Sequence, residues 1–518
     1  MTLRARSAKS GPLHIVQTPT LNFDIMCFIM ENLSKMVRFF ITWHKWVSIL
    51  LLGFILLIPV SGIILNHRKL FSSIDVTRSL LPDVYKFKNW NNAAVKGTEK
   101  IGPDSILFYG NIGIWLYTPE GFEPFMNGFP RGMDNRKICK IRKLENGMTL
   151  AGTLFGLYKL HSQTWIKVKL PTQEKRVVDI TTKSDTIILL TRSHVIKTTD
   201  LKDFQVVQLP APLGYRKEVS LFKTFWTLHS GELFGIVGKI FVDFMGLIFI
   251  FLVISGAYYF IGYYVVKFRR PMVKLNRSMR FLLKWHNKFG WTMLVFLFVV
   301  TITGMFLRPP FLILIANKMV KTLPLTTLNS GNPWYDRLRA IIYEKDVGGY
   351  IIATNKGIFF ADENLKSPLL RFRPAPPINV MGVTVFEKHG NGKILVGSFD
   401  GLFLWNYKTG EYYDYIRLIP GYRYPSPLVT GYTDDFGEFY FDYDKGVKPI
   451  RNSARFPEMP EEIGKLPISL WNFALEIHTG RAYMNILKSF TILYIPLIGL
   501  ILLSIYTTGF IVWWKLFR

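Results

Sequence analysis

RFFITWH (residues 38–44) and RFLLKWH (residues 280–286) are near copies of each other, and the fold is read outward from them. Each opens a long apolar segment. Eighteen residues after each histidine stands a small residue followed by glycine, Ser61-Gly62 in one copy and Thr303-Gly304 in the other. A second pair of copies lies elsewhere: LHSGELFG (residues 228–235) around His229 and IHTGRAYM (residues 477–484) around His478. The order along the chain is A-B-A′-B′, an internal repeat at the scale of the whole molecule.

Composition sets the class. The 518 residues are 49% hydrophobic and 15% aromatic, and the apolar residues are gathered in uncharged runs at 46–65, 244–266, 289–307 and 489–514. Each run can cross a hydrocarbon core of about 30 Å, for which roughly 20 helical residues suffice. Four transmembrane helices are expected. Much of the net charge of +28 sits at the borders of these runs, where membrane topology accounts for it. No nucleic-acid motif accompanies it, so the lipid bilayer and not nucleic acid is the expected partner. The two cysteines, Cys27 and Cys139, fall on opposite sides of the predicted membrane and cannot pair. No CxxCH is present, which excludes covalent haem attachment.

Orientation follows from the basic loops. The short connector between the second and third runs carries Lys267, Arg269, Arg270, Lys274, Arg277, Arg280, Lys284 and Lys288 without an acid. Such loops stay cytoplasmic, which puts both termini inside and the two long segments outside, in the periplasm of a Gram-negative cell. The expected class is a membrane protein of mixed α and β structure: a four-helix bundle of two repeated helix pairs plus a mostly β periplasmic domain. Residues 1–35 read as a disordered leader and 36–66 as the first span. Residues 67–225 are the first β segment, and 226–267 the second span with an outer amphipathic extension. Residues 268–284 form the basic cytoplasmic loop, 285–308 the third span, 309–469 the second β segment and 470–515 the fourth span with a similar extension. Turn-to-turn spacing in each β segment is about 38–45 residues, the period of a four-stranded propeller blade. Three units per segment imply six blades closing one ring; two separate β domains are the competing reading. Aromatic residues at strand positions, such as Trp115, Tyr117, Phe403 and Trp405, read as core.

Four histidines carry the functional expectation. A pseudo-twofold axis along the membrane normal would set His44 opposite His286 at the inner level and His229 opposite His478 at the outer level. Facing imidazoles in a helix bundle can ligate haem iron from both sides. The blander reading of any one of them is an interfacial residue with a wet nitrogen. Gly256 and Gly509 fall toward the inner pair, Gly62 and Gly304 toward the outer. In a straight helix His44 and Gly62 are five whole turns apart and share a face, as do His286 and Gly304. Zinc is disfavoured because no third or fourth ligand converges. His67 is a further candidate, either ligating in place of His229 or His478, touching an external substrate, or standing as a plain interfacial histidine. Asp243, just inside an apolar run, is a candidate by its charge alone. Arg38, Arg280, Lys239, Arg481 and Lys488 suit haem propionates and lipid headgroups equally.

WHKWVSILLLGFILLIPVSG, WHNKFGWTMLVFLFVVTITG, LHSGELFG and IHTGRAYM with YIPLIGLILLSIYTTGFIVWWK resemble the PepSY-associated transmembrane family. The resemblance covers the membrane segments; the blade-like repeats stand where a PepSY-type module would be. That family includes inner-membrane ferric-siderophore reductases that bind two haems. The resemblance therefore implies two haem b groups, held through His44, His286, His229 and His478. It implies electron transfer from a cytoplasmic or membrane donor to a ferric siderophore or other ferric chelate at the periplasmic face. The alternative is a non-enzymatic membrane scaffold whose β domain docks a partner of an iron-uptake system. A transporter of iron or chelate is a third reading, disfavoured by four helices with few buried charges.

Overall fold

The computed structural model describes residues 35–268, 273–390, 392–451 and 455–517. The expected leader lies almost wholly outside them, as do Cys27, Arg269 and Arg270. The chain divides into two compact units: one made of the chain up to Ile55, Phe251–Phe298 and Leu500 onward, the other of Leu56–Ile250 and Val299–Gly499.

The sequence repeat is also a repeat of elements. Each A copy forms two consecutive helices. The first gives α1 (Lys35–Leu50) and α2 (Leu52–Asn66). The B copy gives α3 (Leu221–His229) and α4 (Gly235–Phe268). The second A copy gives α5 (Val273–Thr292) and α6 (Leu294–Phe306), and the second B copy gives α7 (Leu470–His478) and α8 (Tyr494–Leu516). The A copies bend sharply, by 67° between α1 and α2 and by 63° between α5 and α6. Both bends fall seven residues after the histidine, at Leu51 and Met293. His44 and Gly62, and likewise His286 and Gly304, would share a face only on a straight helix, so the bends overturn that expectation.

The B copies are built alike. Ser220 and Ser469 each cap a nine-residue helix by accepting a hydrogen bond from the backbone N–H three residues on. Each of those helices ends on its histidine. The glycine two residues later, Gly231 or Gly480, takes a left-handed φ of 76° or 79° and ends the helix. A methyl group at Gly231 would lie 2.2 Å from the Gly238 carbonyl oxygen. The expected outer extension of the second span is thus a separate short helix, and α4 then runs 34 residues without a break. Among the described residues two helices, Glu232–Phe268 and Arg481–Leu516, are each long and apolar enough to span a membrane; counting each bent pair as one span gives up to four.

The two long segments form antiparallel sheets, three per segment. Their first strands are β1 (Gly97–Gly102), β2 (Ile138–Lys143) and β3 (Val177–Lys183), then β4 (Leu338–Glu344), β5 (Val385–Lys388) and β6 (Val429–Thr433). Within each sheet the strands follow sequence order, four per sheet except five in the fifth and three in the sixth. Each first strand touches the next, and β6 touches β1, so the six contacts close a cycle. An apolar cluster sits between every neighbouring pair. Ile188, Leu190, Leu338 and Ile352 join the third sheet to the fourth, and Trp90, Phe108, Phe439 and Phe441 join the sixth to the first. Those two junctions knit the two chain segments together. Trp115, Phe403 and Trp405 lie in this core, at most 4% exposed.

Candidate functional site: two facing histidine pairs

His44, on α1, faces His286, on α5, with ring centroids 6.4 Å apart and ring planes at 89°. His229, at the end of α3, faces His478, at the end of α7, at 6.0 Å and 56°. Each pair lies inside one compact unit. The four sequence-predicted histidines are therefore brought together two by two.

Each ring is seated on the same local device, a Ser/Thr-Gly dipeptide and the carbonyl three residues before it. His44 Nδ1 lies 3.0 Å from the Ile505 carbonyl oxygen, which also accepts from Thr508 Oγ1. His229 Nδ1 lies 2.9 Å from the Val300 carbonyl oxygen, which also accepts from Thr303 Oγ1. His286 Nδ1 meets Ser255 Oγ at 2.9 Å, while Ser255 donates to Leu252. His478 Nδ1 meets Ser61 Oγ at 3.0 Å and the Ile58 carbonyl at 3.2 Å, and Ser61 donates to Ile58. A carbonyl only accepts, and both serine hydroxyls already spend their proton on a carbonyl. Nδ1 is therefore the protonated nitrogen of each neutral imidazole, which leaves the Nε2 lone pair for a ligand.

The glycine of each dipeptide lies under the ring. A methyl group would stand 2.9 Å from His44 Cε1 at Gly509 and 2.7 Å from His229 Cε1 at Gly304. At Gly256 and Gly62 it would stand 3.4 Å from His286 and 3.6 Å from His478. Seating is crosswise: the first A histidine sits on the second B helix, and the histidine of that B copy sits on the first A segment. The other two copies reciprocate in the same way. The dipeptides and their levels are legible in the sequence; the crosswise partners and the carbonyl are not, because they arise from packing between distant segments.

With metal–imidazole bonds of about 2 Å, an ion gripped between two facing rings puts their centroids roughly 6.2 Å apart. Both pairs lie close to that value. Among the described residues no group of three or more His, Cys, Asp and Glu is placed to hold a metal ion. The arrangement suits a metal whose remaining coordination comes from a macrocycle.

His67 is not brought to either pair. Its Nε2 lies 2.6 Å from Asp243 Oδ2, and Asn66 donates to the other carboxylate oxygen at 2.9 Å. Asp243, set among apolar neighbours, draws the polar groups at the end of α2 to itself, which accounts for both residues. Arg481 likewise pairs with Glu476 at 2.7 Å, and Tyr85 donates to the same carboxylate.

No curated protein matches the chain. Three solved chains from B. thetaiotaomicron, extracellular domains of two hybrid two-component systems and of a one-component system, match at 11% identity. Their TM-scores are 0.35, 0.29 and 0.32. The matches cover 70% of this chain and 33–40% of those chains, so this chain spans well under half the length of the structures it matches. The family described as PepSY-associated TM region matches residues 15–262, which take in A and B, and again 213–516, which take in B, A′ and B′. Those two matches account for most of the sequence, and the chain belongs to the PepSY-associated TM family.

Proposed function

We propose that each histidine pair holds one haem b and that the protein carries electrons across the inner membrane to ferric siderophores or related ferric chelates at the periplasmic face. The observation that carries this reading is the ring separation, 6.4 Å and 6.0 Å, close to that of two imidazoles on one metal. The seating supports it. Nδ1–H bonds fix the tautomer and raise ligand basicity, and glycine beneath each ring leaves room beside it. When bound, haem would supply a one-electron couple. The residues hold the imidazoles in place, and the apolar helices exclude water. Ferric chelates hold iron through hard oxygen donors, which grip the ferrous ion far more weakly, so one electron releases the metal without cleaving the chelator.

Family membership and the basic connector support an inner-membrane protein with both termini cytoplasmic and the β segments periplasmic. The closed cycle of first strands and the cores between sheets support a six-bladed propeller.

The test is an absorption spectrum of the detergent-purified chain, oxidised and dithionite-reduced, beside His44→Ala, His286→Ala, His229→Ala and His478→Ala. Sharp six-coordinate b-type bands are expected, with either pair's variants removing about half of the signal. A colourless protein after expression with ample haem removes the redox reading and leaves the docking scaffold.

A further inference from the structure

The residue before the first strand of each sheet is Lys96, Lys137, Arg176, Arg337, Thr384 and Leu428 in turn. Four of the six are basic, at equivalent register positions around the cycle. Three of these four, Lys96, Lys137 and Arg176, lie with Arg68, Arg192 and Arg339 in one electrostatic cluster, against the four carboxylates Asp75, Asp134, Glu174 and Asp336. Asp134 is used by Arg68 at 2.8 Å and by Lys137 at 3.0 Å. Asp336 is used by Arg192 at 2.8 Å. Asp75 accepts from the Met133 backbone, and Glu174 lies within the field of Arg192 and Arg339.

Lys96 has no ion pair among the described residues, and Arg176 Nε is buried without a hydrogen-bond partner. Burial pulls the Lys96 ammonium below its ordinary pKa; the Cys139 thiol opposes this, while Arg176 and Arg68 add to it. Burial likewise brings Lys137 down to about 8 despite Asp134. Farther along the same strands two cations meet three carboxylates, so no surplus of positive charge remains. Lys140 meets Glu387 at 2.5 Å, and Arg142, Asp179 and Glu99 complete a mixed cluster. A cation withdrawn from water without a counter-charge is costly, so the surplus at one end alone asks for an anion from outside.

This end is tied to the second histidine pair. Arg68 follows Gly62, the seat of His478, by six residues. Its guanidinium lies 3.8 Å from the ring centroid of Trp471, and Trp471 Nε1 donates to the Leu65 carbonyl at 2.9 Å. Trp471 precedes His478 by seven residues on α7, about 10 Å along the helix.

We propose that this cationic mouth, centred on Lys96 and Arg176, binds a multiply charged, carboxylate-rich ferric chelate. Guanidinium and ammonium groups recognise carboxylates by charge-assisted hydrogen bonds. The inference deepens the reductase reading by naming its substrate class. It rests on that reading for the electron and not for binding. Phosphate headgroups of anionic lipids carry similar chemistry, and the test separates the two sources.

The full-length chain in detergent is titrated calorimetrically with gallium(III) citrate, which is redox-inert. Binding is expected, weaker at high salt and weakened about tenfold or more in Lys96→Gln/Arg176→Gln. Lys167→Gln/Lys169→Gln, on an exposed strand elsewhere, leaves it unchanged. If the double variant melts at lower temperature, the charge-preserving Lys96→Arg/Arg176→Lys restores binding where the neutral pair does not. The proposal is overturned by absence of binding to the wild type. It is also overturned by equal binding in wild type and neutral variant, or by loss of binding in phosphatidylglycerol nanodiscs, which assigns the mouth to lipid. Haem bands are read from the same samples. Lost binding with intact bands counts against the mouth alone, and lost bands with intact binding against the redox reading alone.

Discussion

The two histidine pairs are built from the same two kinds of seat, and each pair uses one of each. His44 and His229 sit on Thr-Gly seats; their Nδ1 atoms reach past the threonine to the carbonyl, and the glycine is so close that a methyl would overlap the ring. His286 and His478 sit on Ser-Gly seats; the serine oxygen accepts from Nδ1–H, joined for His478 by the Ile58 carbonyl at 3.2 Å, and the glycine stands at ordinary contact distance. All four hydroxyls donate to carbonyls of their own helices; at the threonine seats the imidazole lies closer to the glycine and bonds to the carbonyl itself. At the serine seats the hydroxyl oxygen, while donating to its own helix, also meets the ring, which stands farther from the glycine. One half of each pair is thus positioned by crowding and the other by a hydroxyl.

The largest effect should come from crowding the tight seats. Gly304→Ala and Gly509→Ala force the ring aside, an overpacking cost of about 1–3 kcal/mol, and each should lower haem affinity of its own pair about tenfold or more. Gly62→Ala and Gly256→Ala add a methyl at 3.6 Å and 3.4 Å and should leave haem content near wild type. Titration of the apoprotein with hemin, read by the Soret band, decides it. Equal losses in all four variants would erase the distinction between seats.

Next comes the hydroxyl. Ser255→Ala and Ser61→Ala remove the oxygen that accepts Nδ1–H, so the imidazole donates less electron density to a bound iron. One hydrogen bond of about 1 kcal/mol corresponds to a rise of about 40 mV in midpoint potential for a one-electron couple. Redox titration of each pair, with the other removed by a histidine variant, measures it. A fall in potential would mean the serine donates to the ring rather than accepting from it.

Much of this was legible in the sequence, for reasons that separate local from distant order. The A-B-A′-B′ repeat, with pseudo-symmetry, suffices to pair His44 with His286 and His229 with His478. The Ser/Thr-Gly dipeptides announce themselves by recurring four times. The turn spacing gives three sheets per segment. The bends at Leu51 and Met293 were hidden because nothing at either position marks them. Neither is proline or glycine, Pro59 lies a full eight residues beyond the first bend, and the hydrogen bonds from Leu51 to Val47 and from Ile55 to Leu51 continue through it. Crosswise seating joins segments hundreds of residues apart for His44 and His478 and could not be read from a helix wheel. The role of His67 stays open in the sequence, between ligand, substrate contact and interfacial residue, because its neighbour in space, Asp243, is 176 residues away.

The smallest effect isolates the threonine. Val300 O accepts from Thr303 Oγ1 at 3.0 Å and from His229 Nδ1 at 2.9 Å; Ile505 O does the same for Thr508 and His44. Each threonine divides its single proton between that carbonyl and a nearer one, Val299 at 2.7 Å or Ser504 at 2.8 Å; a carbonyl has two lone pairs, so it takes this share together with the imidazole N–H, and each donor drains the oxygen and weakens the other. Thr303→Val and Thr508→Val keep the shape and remove one donor. The carbonyl then becomes the better acceptor, Nδ1–H bonds more strongly, and the ring gives more to the iron. The midpoint should fall, by about 10 mV if one bond modulates its neighbour by a tenth to a third. The sign is opposite to that of the serine variants, and that opposition is the sharper result. A rise on removing the threonine hydroxyl would mean that threonine and serine act alike on the ring, and the two seats would then differ in spacing only.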